Sequence, residues 1–199
     1  MKKDEKKTKR EVNRVKLVVG LGNFGKEYER TYHNIGFLTV EEVKRDLGAT
    51  KEKNMCEAKV IEVNVGGQKV LIAQPTTFMN ASGRAVRALQ SKFGIDAKDM
   101  IIVQDDIDIV PGEIRFRDKG SAGTHNGMKS VLALCEGDDF VRVRVGAGKP
   151  VLGQDLADYV LSTMPKSSPI FDAIKRAAAA VEDWIGGATL QDLQTKYSK

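Results

Sequence analysis

Cysteine is almost missing from this chain. Cys56 and Cys135 are the only two, and they do not form a Cys-x-x-Cys pair. That excludes a disulfide framework and leaves both as packing thiols of a reducing compartment. Histidine is as scarce. His33 and His125 cannot by themselves build a His-rich zinc site, and the cysteines do not stand at zinc-ligand spacing to them. A metal enzyme and a cofactor are therefore not expected, with a carboxylate-bound magnesium left open. Long apolar runs are absent as well. Stretches such as Lys16–Val19 and Ala177–Val181 are far too short to span a membrane. The first residues are charged throughout and have no apolar centre, so no secretory signal is expected and a cytoplasmic location is.

What is present suits one soluble domain. A chain of 199 residues, 41% apolar and 30% charged, is large enough to bury a core and has ordinary globular composition. The net charge of +5 resides wholly in the first sixteen residues, where eight Lys/Arg face three acids. The expected division is a flexible basic tail over 1–14 and a catalytic domain over 15–199. The tail reads first as a solubilising extension and second as a non-specific grip on RNA phosphates.

Along the domain, strand-like and helix-like segments alternate, which predicts a single α/β domain with a mixed, twisted sheet flanked by helices. Strands are expected at Val15–Gly20, Met100–Asp105, Glu113–Arg117 and Phe140–Gly146. Lys59–Val65 and Gln68–Gln74 flank Gly66-Gly67 as a hairpin. Helices are expected at Ile35–Leu47, Thr76–Phe93 and Asn126–Leu134, and from Lys149-Pro150 to the end with a break at Pro165. The apolar spacing of Ile174, Val181, Trp184 and Ile185 marks a core face. In open α/β sheets the ligand crevice lies beyond the carboxyl ends of strands, so the loops after Val19, Ala73 and Val103 are the places to seek chemistry. The polar stretch Lys149–Asp158 reads as a lid over that crevice.

Gly20-Leu21-Gly22-Asn23-Phe24-Gly25 imitates a dinucleotide fingerprint, but the polar run Lys26–Tyr32 follows where an apolar-faced helix should open. The other loop residues form a more coherent set: Asn23, His33, Asn80, Asp105 and Asn126. Asn and Asp near helix starts often only cap free amides. A histidine with a carboxylate partner, however, suits activation of water at neutral pH, and neutral amides can orient polar substrate groups or donate to an oxyanion. Ser82 and Ser121 lie in no Gly-x-Ser-x-Gly elbow, and neither cysteine has an adjacent base. Activated water fits better than a covalent acyl-enzyme.

Four segments then carry a family resemblance: Leu17–Phe37 (LVVGLGNFGKEYERTYHNIGF), Gln74–Gly83 (QPTTFMNASG), Val103–Gly112 (VQDDIDIVPG) and Gly120–Ser130 (GSAGTHNGMKS). In this order and spacing they resemble the bacterial peptidyl-tRNA hydrolases from about Val15 to the C-terminus. The resemblance implies that His33 is the base, that Asp105 orients and polarises it, and that Asn23 binds near the scissile ester. It implies that Asn80 and Asn126 hold peptide and water, and that Tyr28, Met79 and His125 line the cleft. Arg115, Arg117 and Lys119 lie where the family places a basic patch for tRNA phosphates, with Arg142 and Arg144 near another such position. The implied partner is peptidyl-tRNA and the implied state a monomer. The chain departs from the family pattern at Phe24, Tyr32, Gln74, Gln104 and Thr124, none of which removes a catalytic group.

Three rival readings are weaker. Plant-organelle relatives of this family serve RNA splicing, but here the five polar loop residues are all retained. A nucleotide-dependent oxidoreductase would rest on the Gly20–Gly25 loop alone. Hydrolysis of another acyl ester or amide would use the same water chemistry.

Overall fold

A computed structural model describes residues 14–198, so the expected basic tail lies outside the described residues except for Arg14. Among the described residues seven strands form one mixed sheet: β1 (Lys16–Gly20), β2 (Glu52–Met55), β3 (Ala58–Val65), β4 (Gln68–Pro75), β5 (Met100–Asp106), β6 (Ile114–Arg117) and β7 (Val141–Gly146). Their spatial order is β2-β3-β4-β1-β5-β7-β6. β4, β1, β5 and β7 run parallel, while β2, β3 and β6 are antiparallel to their neighbours.

Among the described residues there are six α-helices: α1 (Ile35–Asp46), α2 (Ser82–Phe93), α3 (Asn126–Leu134), α4 (Leu156–Val160), α5 (Ile170–Ile185) and α6 (Leu190–Tyr197). Strand side chains alternate between faces, and both faces are apolar. Val18, Ile72, Ile101 and Val143 pack with Val40 of α1 and Ala177 and Val181 of α5. Leu17, Val19, Leu71 and Ile102 pack with Val86 and Leu89 of α2 and Val131 of α3. Burying such a side chain contributes roughly 1.5–3 kcal/mol, which explains the nearly continuous apolar runs of the central parallel strands.

The expected mixed α/β domain is therefore found, with three differences in its elements. β2 was not anticipated, because three of its four residues are exposed and it reads as a charged loop. It joins β3 through a two-residue turn at Cys56 and Glu57, both with positive φ, and the buried Lys44 ammonium ties it to α1 through Glu52 (3.2 Å). The helix predicted from Thr76 begins only at Ser82. Phe78 is extended and Met79–Ala81 forms a 3-10 turn, since the Met79 amide donates to the Asn23 side chain rather than to a helix carbonyl. After Pro150 the chain is irregular to Asp155, then forms α4, and turns again around Pro165 before α5.

The first two glycines of the false dinucleotide fingerprint, Gly20 and Gly22, serve packing. A Cβ on Gly20 would collide with the Gly36 carbonyl, and a Cβ on Gly36 would strike the carbonyl oxygens of Leu21 and Val103. The first turn of α1 thus lies directly on the ends of β1 and β5. The chain reaches α1 through two 3-10 turns, Lys26–Tyr28 and Tyr32–Asn34, instead of opening a helix behind Gly25.

Gly36→Ala is expected to lower stability by about 1–3 kcal/mol through overpacking against backbone. On a chain of this size that is a fall in Tm on the order of 5 °C. Thermal unfolding checks it, and an unchanged Tm would mean that α1 does not press on the strand ends as described.

Candidate active site

The carboxyl ends of β1, β4 and β5 open into one cleft of about 940 Å³, lined by Asn23, Tyr28, His33, Met79, Asn80, Asp105, His125 and Asn126 among others. A cleft of that volume suits a sizeable ligand. All eight catalytic and substrate-binding residues expected from the sequence therefore border one space, although 103 positions separate Asn23 from Asn126 in the chain.

Asp105 lies at the end of central strand β5 and is 2% exposed. His33, on the Tyr32–Asn34 turn, points Nδ1 at both of its oxygens, at 2.9 and 3.1 Å. His125, just before α3, sets Nε2 3.0 Å from Oδ1 of the same carboxylate. Burial alone would push the Asp105 carboxyl up, but the two imidazoles overcome this and hold it well below the usual carboxylate range. Burial of the His33 ring pushes its pKa down. The charge and hydrogen bond of Asp105 push harder the other way, and the net shift is upward.

His33, Asp105 and His125 are the one group of described residues that brings three potential metal-ligand atoms together, all within 4.8 Å. Hydrogen bonding accounts for them without an ion. The carboxylate accepts from one nitrogen of each ring, and the other nitrogen of His125 accepts the Met128 amide (3.1 Å).

The His33 turn is held from the far side as well. Tyr32 stacks on Tyr159 of α4 with centroids 4.7 Å apart, and the Tyr159 hydroxyl donates to the Ala147 carbonyl (2.7 Å). Backbone bonds from Tyr32 to Ser162 (3.3 Å) and from Met164 to Arg30 (2.9 Å) close the clamp. The expected lid segment ends in this clamp, with Asp155, Leu156 and Ala157 on the cleft wall.

Nothing in the sequence reading singles out Asn34, which stands between His33 and the first residue of α1. It makes no capping bond to α1. Its amide accepts from the Asn23 N–H (2.8 Å) and donates to the Asn23 carbonyl (3.0 Å), gripping the Asn23 backbone from both sides. The Asn23 Oδ1 in turn accepts the Met79 amide (2.8 Å). That bond assigns the side chain's orientation: Nδ2 is the atom left to donate into the cleft.

The basic residues divide. Register pairs Arg115 with Arg144 and Arg117 with Arg142, so all four lie on one face of the β6–β7 pair. Arg117, Lys119, Arg142 and Arg144 line the cleft. Arg144 is held by Asp106 (2.7 Å), and Arg115 is bonded to Glu113 (2.7 Å) outside the lining. Arg142 is only 3% exposed, and its Nη1 donates to the carbonyls of Gly120 (2.7 Å) and Ser121 (3.2 Å), which places it under the glycine loop. Of the residues that depart from the family pattern, Gln74 accepts from the Lys44 ammonium (2.6 Å) and Gln104 lines the cleft. Phe24 is half-exposed with the Lys59 ammonium 5.6 Å over its ring.

A family model described as peptidyl-tRNA hydrolase matches residues 17–199. A curated peptidyl-tRNA hydrolase of Listeria welshimeri is 45% identical over 172 residues, 85% of this chain and 93% of the relative. That of Pediococcus pentosaceus is 43% identical over 187 residues, 92% of this chain and all of the relative. The crystal structure of the peptidyl-tRNA hydrolase from Acinetobacter baumannii is 32% identical with a TM-score of 0.85, covering 92% of this chain and 96% of that one. A 5'-methylthioadenosine nucleosidase from Arabidopsis thaliana is 10% identical with a TM-score of 0.51 over 90% of this chain and 98% of its own, and shares the fold alone.

Asn34→Ala is expected to release the Asn23 loop and lower kcat/KM on the order of 10²-fold, since small misplacements of catalytic groups have effects of that size. Steady-state kinetics on a folded variant with wild-type turnover would rule out the positioning role.

Proposed function

This chain belongs to the peptidyl-tRNA hydrolase family, and we propose that it cleaves the ester joining peptide to tRNA ribose with a water molecule that His33 activates. One observation carries the chemical part of this reading. His33 gives Nδ1 to both oxygens of a buried carboxylate, which leaves Nε2, in a residue that lines the cleft, as its basic nitrogen.

A proton on Nδ1 is committed to Asp105, so Nε2 carries the lone pair that takes a proton from water. Asp105 stabilises the imidazolium that results and keeps the ring in its tautomer. The hydroxide attacks the ester carbonyl, and the oxyanion forms opposite Asn23, whose Nδ2 is aimed into the cleft by the bond from Met79. Collapse of the tetrahedral intermediate expels the ribose hydroxyl, which recovers the proton from His33. Products are a peptide carboxylate and free tRNA.

Asn80 and Asn126 offer neutral amides to the peptide main chain, with Tyr28 and Met79 beside them on the wall. Main-chain recognition makes the enzyme tolerant of peptide sequence. The Arg117, Lys119 and Arg144 side of the cleft holds the acceptor stem by phosphate contacts, which supply affinity and register without reading bases. In this reading Arg142 acts indirectly, by shaping the Gly120–Ser121 loop. The enzyme works as a monomer in the cytoplasm on tRNAs released prematurely from translation.

His33→Ala is expected to reduce release of tRNA from an N-blocked aminoacyl-tRNA on the order of 10²–10⁴-fold, the usual contribution of a positioned base, with tRNA affinity unchanged. Near-normal turnover would refute the assignment. For the Arg117→Ala/Lys119→Ala double variant, the slope of log affinity against log salt should flatten by about two, roughly one per lost phosphate contact. A slope equal to wild type would move the tRNA contact elsewhere.

A further inference from the structure

His125 makes two hydrogen bonds that together decide where its proton sits. Nδ1 accepts the Met128 amide at 3.1 Å and so caps α3. A ring nitrogen that accepts an amide hydrogen bears no hydrogen itself. The proton of the neutral ring is therefore on Nε2, 3.0 Å from Asp105 Oδ1, and donates to it. The ring is 7% exposed, and neither nitrogen has a lone pair left for water. His125 lines the cleft, yet it cannot be a second base.

The same Oδ1 accepts the His33 Nδ1 proton at 2.9 Å. The two rings lie with centroids 4.8 Å apart and planes tilted by 52°, each directed at the carboxylate between them. We propose that His125 is a positioning residue for the hydrolysis: a neutral imidazole locked with its proton on Nε2, which ties Asp105 to the first turn of α3 and shares its charge with His33. This rests on the reading of His33 as the base.

The consequence has a definite sign. A carboxylate with His33 as its sole partner would hold the His33 proton more tightly and keep more of the base protonated near neutrality. A second N–H on the same oxygen weakens that hold. Other ionisable groups line the cleft or hold the turn that carries His33, but none hydrogen-bonds to it among the described residues. From β5, Asp106 is paired with Arg144 (2.7 Å). From the α4 side, Asp155 caps the amides of Ala157 and Asp158, and the Tyr159 hydroxyl donates to Ala147. From α3, the Lys129 ammonium lies on Asn126 Oδ1 (3.4 Å), and Tyr28 stands on the cleft wall. Asp105 is the charge that governs His33, and His125 is the other group that shares it.

The experiment combines histidine NMR with rate measurements. In the wild-type protein, long-range nitrogen–proton correlations at neutral pH should show His125 with its proton on Nε2, a result that needs no variant. His125→Asn keeps an oxygen able to cap α3 but offers nothing at the Nε2 position. In it, the His33 titration and the acid limb of kcat/KM on N-blocked aminoacyl-tRNA should both rise by about one pH unit. His125→Gln, whose longer amide can donate toward Asp105, should recover part of the shift. A His125 proton on Nδ1, or an unmoved His33 titration in the folded Asn variant, would overturn the proposal. A His33 titration that moves while the rate profile stays still would uphold the shared carboxylate and instead defeat His33 as the base.

Discussion

One buried carboxylate organises this molecule's chemistry. Asp105 sits at the carboxyl end of a central strand, almost without solvent, and is nonetheless ionised. Taking such a charge out of water is strongly unfavourable unless partners are supplied with good geometry. The partners are two imidazoles from segments far apart in the chain, one from the turn before α1 and one from the loop before α3. The requirement to satisfy Asp105 therefore draws both loops to the end of β5, and the cleft is the space they enclose.

The sheet makes that convergence possible. β1 lies between β4 and β5 in parallel register, so three consecutive strand ends deliver Asn23, Asn80 and Asp105 to one rim. Close backbone contact of Gly36 with the ends of β1 and β5 brings the start of α1, and with it His33 and Asn34, down onto the same rim. Asn34 and the Met79 amide then fix Asn23 from two directions. The polar groups of the site hold one another in place, and the atoms left over, His33 Nε2 and Asn23 Nδ2, are the ones the reaction uses.

Much of this was legible in the amino-acid order. Apolar runs such as Leu17–Val19 and Met100–Val103 marked the central strands, and the four separated motifs marked His33, Asp105 and the amides. What stayed hidden depended on partners distant in sequence. β2 is a strand because β3 pairs with it and Lys44 draws Glu52 inward, neither of which its charged residues announce. The start of α2 shifted because the Met79 amide is claimed by Asn23, 56 positions earlier. Asn34 stands at a helix start, where an asparagine commonly caps, yet its amide grips the Asn23 backbone instead, and the Tyr32–Tyr159 stack joins residues with no local signal between them. Nor does the charge of Arg142 announce that the residue is nearly buried, with Nη1 donating to the Gly120 carbonyl.

The central claim is that the charge of Asp105 sets the state of His33. The most direct measurement follows the His33 ring by nitrogen NMR across pH in the wild-type protein and in Asp105→Asn. In wild type the neutral ring should carry its proton on Nδ1 and titrate above the ordinary value of 6.5, because Asp105 outweighs burial. With the charge removed, burial is unopposed, and the titration should fall below that value. A His33 titration that is the same in both proteins would contradict the account.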